Sequence, residues 1–233
     1  CLRDQGFTDI ILTVSHLGNI IKDYFGDGSG ISPVTGKSFR VHIEYYFEKE
    51  PLGNAGALFK IRDKLDSDFL LLNADAMFNV DFNRFITFHK QHGGLVTLFT
   101  HPNSHPYDSG LIIADKNGSV EQWLAKEDDR PEYYCNRVNA GLHVINPRIL
   151  EQSGIDSNEV GSVDGNGNHI KVDLDRQLLK PIAGTGKMFC YDSPEYVKDM
   201  GTPDRYYTVC EDYKAGRILK KNLKNKQKAV FID

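Results

Sequence analysis

Residues 68–78, DFLLLNADAMF, decide how the chain is read. Residues 68–72 form an apolar run short enough to be a buried strand of a parallel sheet, and polarity returns at Asn73 and Asp75. Ligands of open α/β sheets bind beyond the carboxyl ends of the strands, so a carboxylate at that place is suited to hold a hard cation such as Mg2+ through oxygen. An Asx turn, or a cap on a following helix, would account for Asp75 as well.

The same alternation extends to either side. Upstream, the chain turns at Gly6, enters a β-branched run at residues 10–14, and fits a short amphipathic helix over 20–25. A Gly/Ser/Pro-dense loop, GDGSGISPVTGK over 26–37, precedes the alternating strand FRVHIEYYFE over 39–48, and 54–64 is helix-like. Downstream come a helix over 82–92 and strands LVTLFT from Leu95, LIIAD from Leu111 and VNAGLHVIN from Val138, with a hairpin turn at Asn117-Gly118 between the last two. A flexible loop over 161–168, a short helix over 173–179 and a strand over 188–191 follow. Strands alternating with helices predict βαβ units, hence an α/β fold around a mixed, mostly parallel sheet.

Composition narrows the class. With 233 residues, 40% hydrophobic and 26% charged, the chain can bury a core of one large α/β domain. Its net charge of −4 speaks against nucleic acid as a partner, and no apolar run approaches the ~18 to 20 residues that span a bilayer. No basic-then-apolar leader opens the sequence, so a cytoplasmic protein is expected, with its 4 cysteines reduced. One stretch deviates: residues 214–228 hold seven basic side chains and no acid, which reads as a solvated helix and linker.

A second carboxylate stands out at Asp199, in YVKDMGTPDRYY. There Thr202-Pro203 starts a helix and Asp204 suits its first turn, which leaves Asp199 before the turn, free to point into a site. Two carboxylates on one Mg2+ beside a phosphate are the usual equipment of phosphoryl or nucleotidyl transfer. The segment EPLGNAGAL, residues 50–58, puts Gly53 and Gly56 before a helix, where backbone can approach a flat base; a tight strand-to-helix turn explains them too. GDGSG over 26–30 lacks the lysine and spacing of a phosphate loop. Asp173 and Asp175 mimic the DxD of glycosyltransferases but fall in a predicted helix. His42, His101, His105 and His143 share no helical spacing and read as core or loop residues.

LRDQGFTDIILTVSHLG, YFGDG, EPLGNAGAL, LLLNADAMF, NRVNAGLHVI and DMGTPDRYY stand in the order found in sugar-1-phosphate nucleotidyltransferases, and residues 2–210 resemble that family. The run KEDDRPEYYCNRVNAGLHVI is most similar to its D-glycero-D-manno-heptose 1-phosphate guanylyltransferase branch, with mannose-1-phosphate guanylyltransferases close behind. The resemblance implies a Rossmann-like, GT-A-like nucleotidyltransferase fold in three layers. It implies attack of a sugar 1-phosphate on the α-phosphorus of a nucleoside triphosphate, GTP by preference, with pyrophosphate displaced, in the making of polysaccharide precursors. Carried over by position, Asp75 and Asp199 would ligate Mg2+, and Lys126 would neutralise the sugar phosphate. Leu52, Gly53 and Asn73 would meet the nucleotide, and Gly110, Asn139 and Gly141 the sugar. Further copies of the chain are the expected macromolecular partner, with neither nucleic acid nor membrane.

Three departures are visible. Ala74 replaces a usual glycine, and Ala125 a glutamate that commonly precedes the phosphate lysine. The triphosphate loop GGxGTRL is absent, and Cys1 aligns with the helix that follows it. The expectation is therefore a nucleotidyltransferase domain over 1–213 without its first strand and triphosphate loop, turning over little or nothing as it stands. A basic helix or linker over 214–227 then leads to KAVFID over 228–233, which resembles the first strand of haloacid-dehalogenase-type phosphatases and suggests a fused sugar phosphatase. A catalytically silent nucleotide-sugar-binding module is the alternative from another class.

Overall fold

A computed structural model describes residues 1–102, 110–125 and 127–218, in two compact units. The first unit comprises Cys1–Asp66 and Leu150–Gln177. Its strands β1 (Asp9–Val14) and β2 (His42–Phe47) pair in parallel, Asp9 opposite His42, with helix α1 (Gly18–Phe25) between them in the chain. The expected strand over 39–48 begins late because Arg40 adopts φ 51°, a left-handed conformation that interrupts extended backbone. Helix α2 (Gly56–Lys60) ends early, passing into a 3-10 turn at Arg62–Lys64. Leu52, Ala55, Leu58, Phe59, Val160 and Val172 are buried in this unit. The apolar side of α1 is not: Leu17 and Ile20 are more than half exposed.

The second unit comprises Ser67–Ile149 and, among the described residues, 178–218. It runs through β3 (Phe69–Leu72), β4 (Ala76–Asn79), α3 (Phe82–His92), β5 (Val96–Pro102), β6 (Leu111–Ala114), β7 (Val120–Leu124) and β8 (Arg137–Ile145). Helix α4 (Arg148–Gln152) leads out of the unit, and β9 (Met188–Asp192), β10 (Tyr196–Asp199) and α5 (Pro203–Lys214) follow its return. Four strands form one sheet in the order β3-β8-β5-β9, in which β8 is antiparallel to both neighbours and β5 is parallel to β9. Three of the four strands therefore point the same way, a mixed sheet of α/β type.

Residues 68–72 do form a strand, but not a buried parallel one. β3 lies against the antiparallel β8, and all four of its residues keep partial exposure, because no described strand covers its other edge. The hairpin at Asn117-Gly118 joins β6 to β7, with the Asp115 carboxylate accepting the backbone N–H of Asn117 and of Ser119 at 2.8 Å each. The helix expected over 173–179 is a single π-type turn, Leu174–Leu179, whose start is capped by Asp173. β4, β7, β10 and α4 were not expected from the sequence. Among the described residues no helix is long and apolar enough to cross a membrane. Most of the basic run, and all of KAVFID, lie outside the described residues.

Candidate functional site

Asp75 occupies the short connection between β3 and β4. Asn73, two residues earlier, donates its N–H to Gly141 O of β8 at 3.0 Å, which ties the connection to the sheet. The element after Asp75 is a strand, so the helix-cap explanation fails, and no described residue donates a hydrogen bond to its carboxylate. Strand β10 runs antiparallel to β4 in the register Ala76 to Asp199. One further bond, Met200 N–H to Asp75 O at 2.6 Å, closes the pair at that end. The two acidic residues, far apart in the chain, are thus neighbours across a two-stranded ladder.

Their separation can be bounded at Gly201. A Cβ built there would stand 3.2 Å from Asp75 Oδ2 and 3.3 Å from Asp199 Oδ1, so these oxygens are at most about 6.5 Å apart. A side chain at position 201 would therefore crowd both carboxylates. Both residues line one cavity of about 500 Å3. Asp199 lines the cavity and also has local partners. Its Oδ1 accepts the Gly201 N–H at 2.7 Å and Arg205 Nη1–H at 3.1 Å.

Asn139 and Gly141 line the same cavity, as does Asn73. Asn139 Oδ1 lies 3.2 Å from the Gly141 N–H and 3.0 Å from His143 Nε2. A backbone N–H can only donate, so that atom is the amide oxygen and His143 carries its proton on Nε2. His143 is buried, and burial pushes its pKa down to about 4, which keeps the ring neutral at ordinary pH. Gly141 has φ 75°, and a Cβ there would come within 2.6 Å of Asn73 Nδ2. Glycine at 141 is therefore what lets Asn73 and Asn139 share one wall.

His143 was set aside in the sequence as a core residue. No local signal could have found it, because the register of β8 against β5 shifts between Asn139 and His143 and Gly141 breaks the extended backbone there. His101 was set aside in the same way and also lines the cavity; burial is the main cause of its lowered pKa. Lys198 and Arg205 supply the cationic side chains of the lining. Lys198 Nζ donates at 2.7 Å to the buried Asp212, which also accepts from Tyr196 OH at 2.7 Å and pairs with Arg217 Nε at 2.9 Å. These donors, Lys198 foremost, hold the Asp212 carboxyl below its ordinary range.

The remaining expected residues are elsewhere. Gly110 precedes β6 beside the Trp123 indole and is not among the residues lining the acidic cavity. Leu52 and Gly53 belong to the first unit, where Gly53 has φ 79° and leaves no room for a Cβ, 2.4 Å from Val172 O. Leu52 is fully buried and its carbonyl accepts the Val172 N–H at 2.8 Å, so its side chain offers a ligand no surface. Lys126 and His105 lie outside the described residues. Asp173 spends one oxygen on the Arg176 N–H at 2.8 Å, which explains it as a turn cap without a metal.

The donor chemistry fits a hard divalent cation. Two carboxylates converge, and among the described residues no third His, Cys, Asp or Glu completes a protein-only cage. Water and phosphate oxygens would fill the other positions, which is how Mg2+ is commonly held.

Comparison with known proteins gives a consistent picture. Residues 1–216 match the family model described as Nucleotidyl transferase. A probable mannose-1-phosphate guanylyltransferase 2 of Oryza sativa subsp. japonica is 28% identical over 217 residues, 89% of this chain and 52% of that protein. The chain thus spans about half the length of the curated relatives it matches. The crystal structure of HddC from Yersinia pseudotuberculosis superposes with a TM-score of 0.66 at 22% identity, covering 91% of this chain and 81% of that one. The same protein complexed with GMP-PN gives a TM-score of 0.65 at 22% identity and the same coverage. This likeness establishes the fold as the α/β nucleotidyltransferase fold.

Proposed function

The chain belongs to the nucleotidyl transferase family, and on that premise we propose that it is the core of a sugar-1-phosphate guanylyltransferase. The single observation that carries the reading is the convergence of Asp75 and Asp199 on one cavity. A phosphate oxygen of the sugar 1-phosphate attacks the α-phosphorus of GTP. The bond from that phosphorus to the bridging oxygen breaks, and pyrophosphate leaves with the electron pair. Little covalent chemistry falls to the protein in such a transfer, so positioning and charge neutralisation dominate.

Asp75 and Asp199 would hold Mg2+, which when bound offsets the negative charge developing on the phosphate oxygens. Asn139, fixed by His143, and the backbone at Gly110 and Gly141 would address sugar hydroxyls. Lys126 would meet the sugar phosphate, and Gly53 and Asn73 the nucleotide. D-glycero-D-manno-heptose 1-phosphate is the preferred acceptor, for the run over 126–145 and for KAVFID, which fits a fused sugar phosphatase acting one step earlier. Mannose 1-phosphate is the second reading, favoured by the guanylyltransferase relatives. Residues 1–213 would act as the transferase domain, 214–227 as linker and 228–233 as the start of the phosphatase.

The test is pyrophosphate release by the full-length protein across GTP, CTP, UTP and dTTP, each with heptose and mannose 1-phosphates. GTP with the heptose phosphate is the expected best pair. Preference for UTP or dTTP contradicts guanylyl transfer, and absence of release with every pair favours a silent binding module.

A further inference from the structure

Arg205 is placed against the preference of its own helix. It is the third residue of α5, after the N-cap Thr202, whose hydroxyl accepts the Arg205 N–H at 3.4 Å. That position favours glutamate or glutamine, which reach back to close the cap, and the positive end of the helix dipole disfavours a cation there. The side chain instead turns to Asp199, with Nη1 3.1 Å from Oδ1. Both partners are more than half exposed, 61% and 54%, and such pairs contribute little to stability. Stability alone does not account for an arginine at this place.

The cavity supplies a reason. Of its two cationic lining residues, Lys198 is committed to buried Asp212, whereas Arg205 spends one of its five N–H donors on Asp199. Asp199 Oδ1 holds both the Gly201 N–H and the guanidinium, and no described residue donates to Oδ2, which leaves that oxygen for a cation while Arg205 stays beside it. A planar guanidinium that pairs with Asp199 and lines the same cavity as Asp75, with four N–H donors not used by described residues, can receive two oxygens of a phosphoryl group.

We propose that Arg205 is a phosphate-binding residue of this site, receiving the phosphoryl group brought beside Asp75 and Asp199. The inference rests on the function proposed above and deepens it. A sugar 1-phosphate and a nucleotide phosphate share the chemistry, so the experiment carries an arm for each.

The whole chain, the R205Q variant and the R205K variant are titrated calorimetrically with mannose 1-phosphate and with GTP in the presence of Mg2+. Mn2+ binding without phosphate is followed in parallel by electron paramagnetic resonance. R205Q is expected to weaken one of the two phosphate ligands at least tenfold and leave the other within about twofold, which identifies the source. R205K is expected to recover part of the loss, and Mn2+ affinity is expected to hold or rise in R205Q, since a competing cation leaves Asp199. Equal phosphate affinity in R205Q and the unaltered chain, or no phosphate binding by an unaltered chain that binds Mn2+, overturns the inference alone. Failure of the unaltered chain to bind Mn2+ overturns the reading of the carboxylate pair, and this inference with it.

Discussion

Asn139 is held by two neighbours on its own strand. Gly141 supplies an N–H and a positive φ, and His143 a buried neutral imidazole. Replacing Gly141 by alanine forces a Cβ into the left-handed region and against Asn73 Nδ2, which should destabilise the chain by about 1 to 3 kcal/mol. Chemical denaturation checks this, and a midpoint equal to that of the unaltered chain contradicts it. His143 makes a second prediction. Its folded pKa of about 4 lies below an unfolded value of about 6.5, so the unfolded chain takes up the proton first on acidification. The stability held by this group is complete above pH 6.5 and is lost as pH falls toward 4, by about 3 kcal/mol. Denaturation midpoints at pH 7 and pH 5 should fall with acid, and in His143→Gln that fall should shrink. An equal fall in the variant would show that His143 is not the group responsible. The two aspartates themselves were legible, since each stands at a boundary where periodicity stops. His143 was not, because a lone histidine in an apolar strand reads the same whether it fills space or orients a neighbour.

Among the elements, α3 was readable to the residue because it carries its own ends. Asp81 accepts the Arg84 N–H at 3.1 Å, Gly93 closes the helix at φ 65°, and Phe82, Phe85 and His89 face inward between them. β4 and β10 were not readable. Each is four residues with no period to recognise, and each is a strand only because the other is its partner. That pairing is what brings Asp199 to Asp75, so the sequence could nominate both carboxylates without showing the ladder that joins them. Asp212 anchors β10 to α5 from the buried side through Tyr196 and Lys198. Asp212→Asn weakens its bonds to two partly exposed cationic side chains and should destabilise the chain by about 1 to 2 kcal/mol. It should also weaken divalent-cation binding, because Asp199 terminates the strand that Asp212 secures. A variant with unchanged melting temperature and unchanged Mn2+ affinity would contradict this link.

Over the whole molecule, the α/β class followed from the alternation of strands and helices, while the reversal of β8 and the open edge of β3 did not. Strand order and direction depend on pairings between distant segments, which local pattern does not encode. His89 and His101 share the behaviour of His143, each held below its ordinary pKa mainly by burial, with Asp68 opposing the shift at His89. Acid sensitivity below about pH 6.5 should therefore be a property of the molecule, only partly removed by any one substitution. The central claim is that Asp75 and Asp199 form one divalent-cation site. Its most direct test is Mn2+ binding, displaced by Mg2+, in the unaltered chain and in D75N and D199N. The account predicts one site whose affinity drops at least tenfold in either variant, each of which keeps its fold, and Mn2+ binding that both variants retain in full would contradict it.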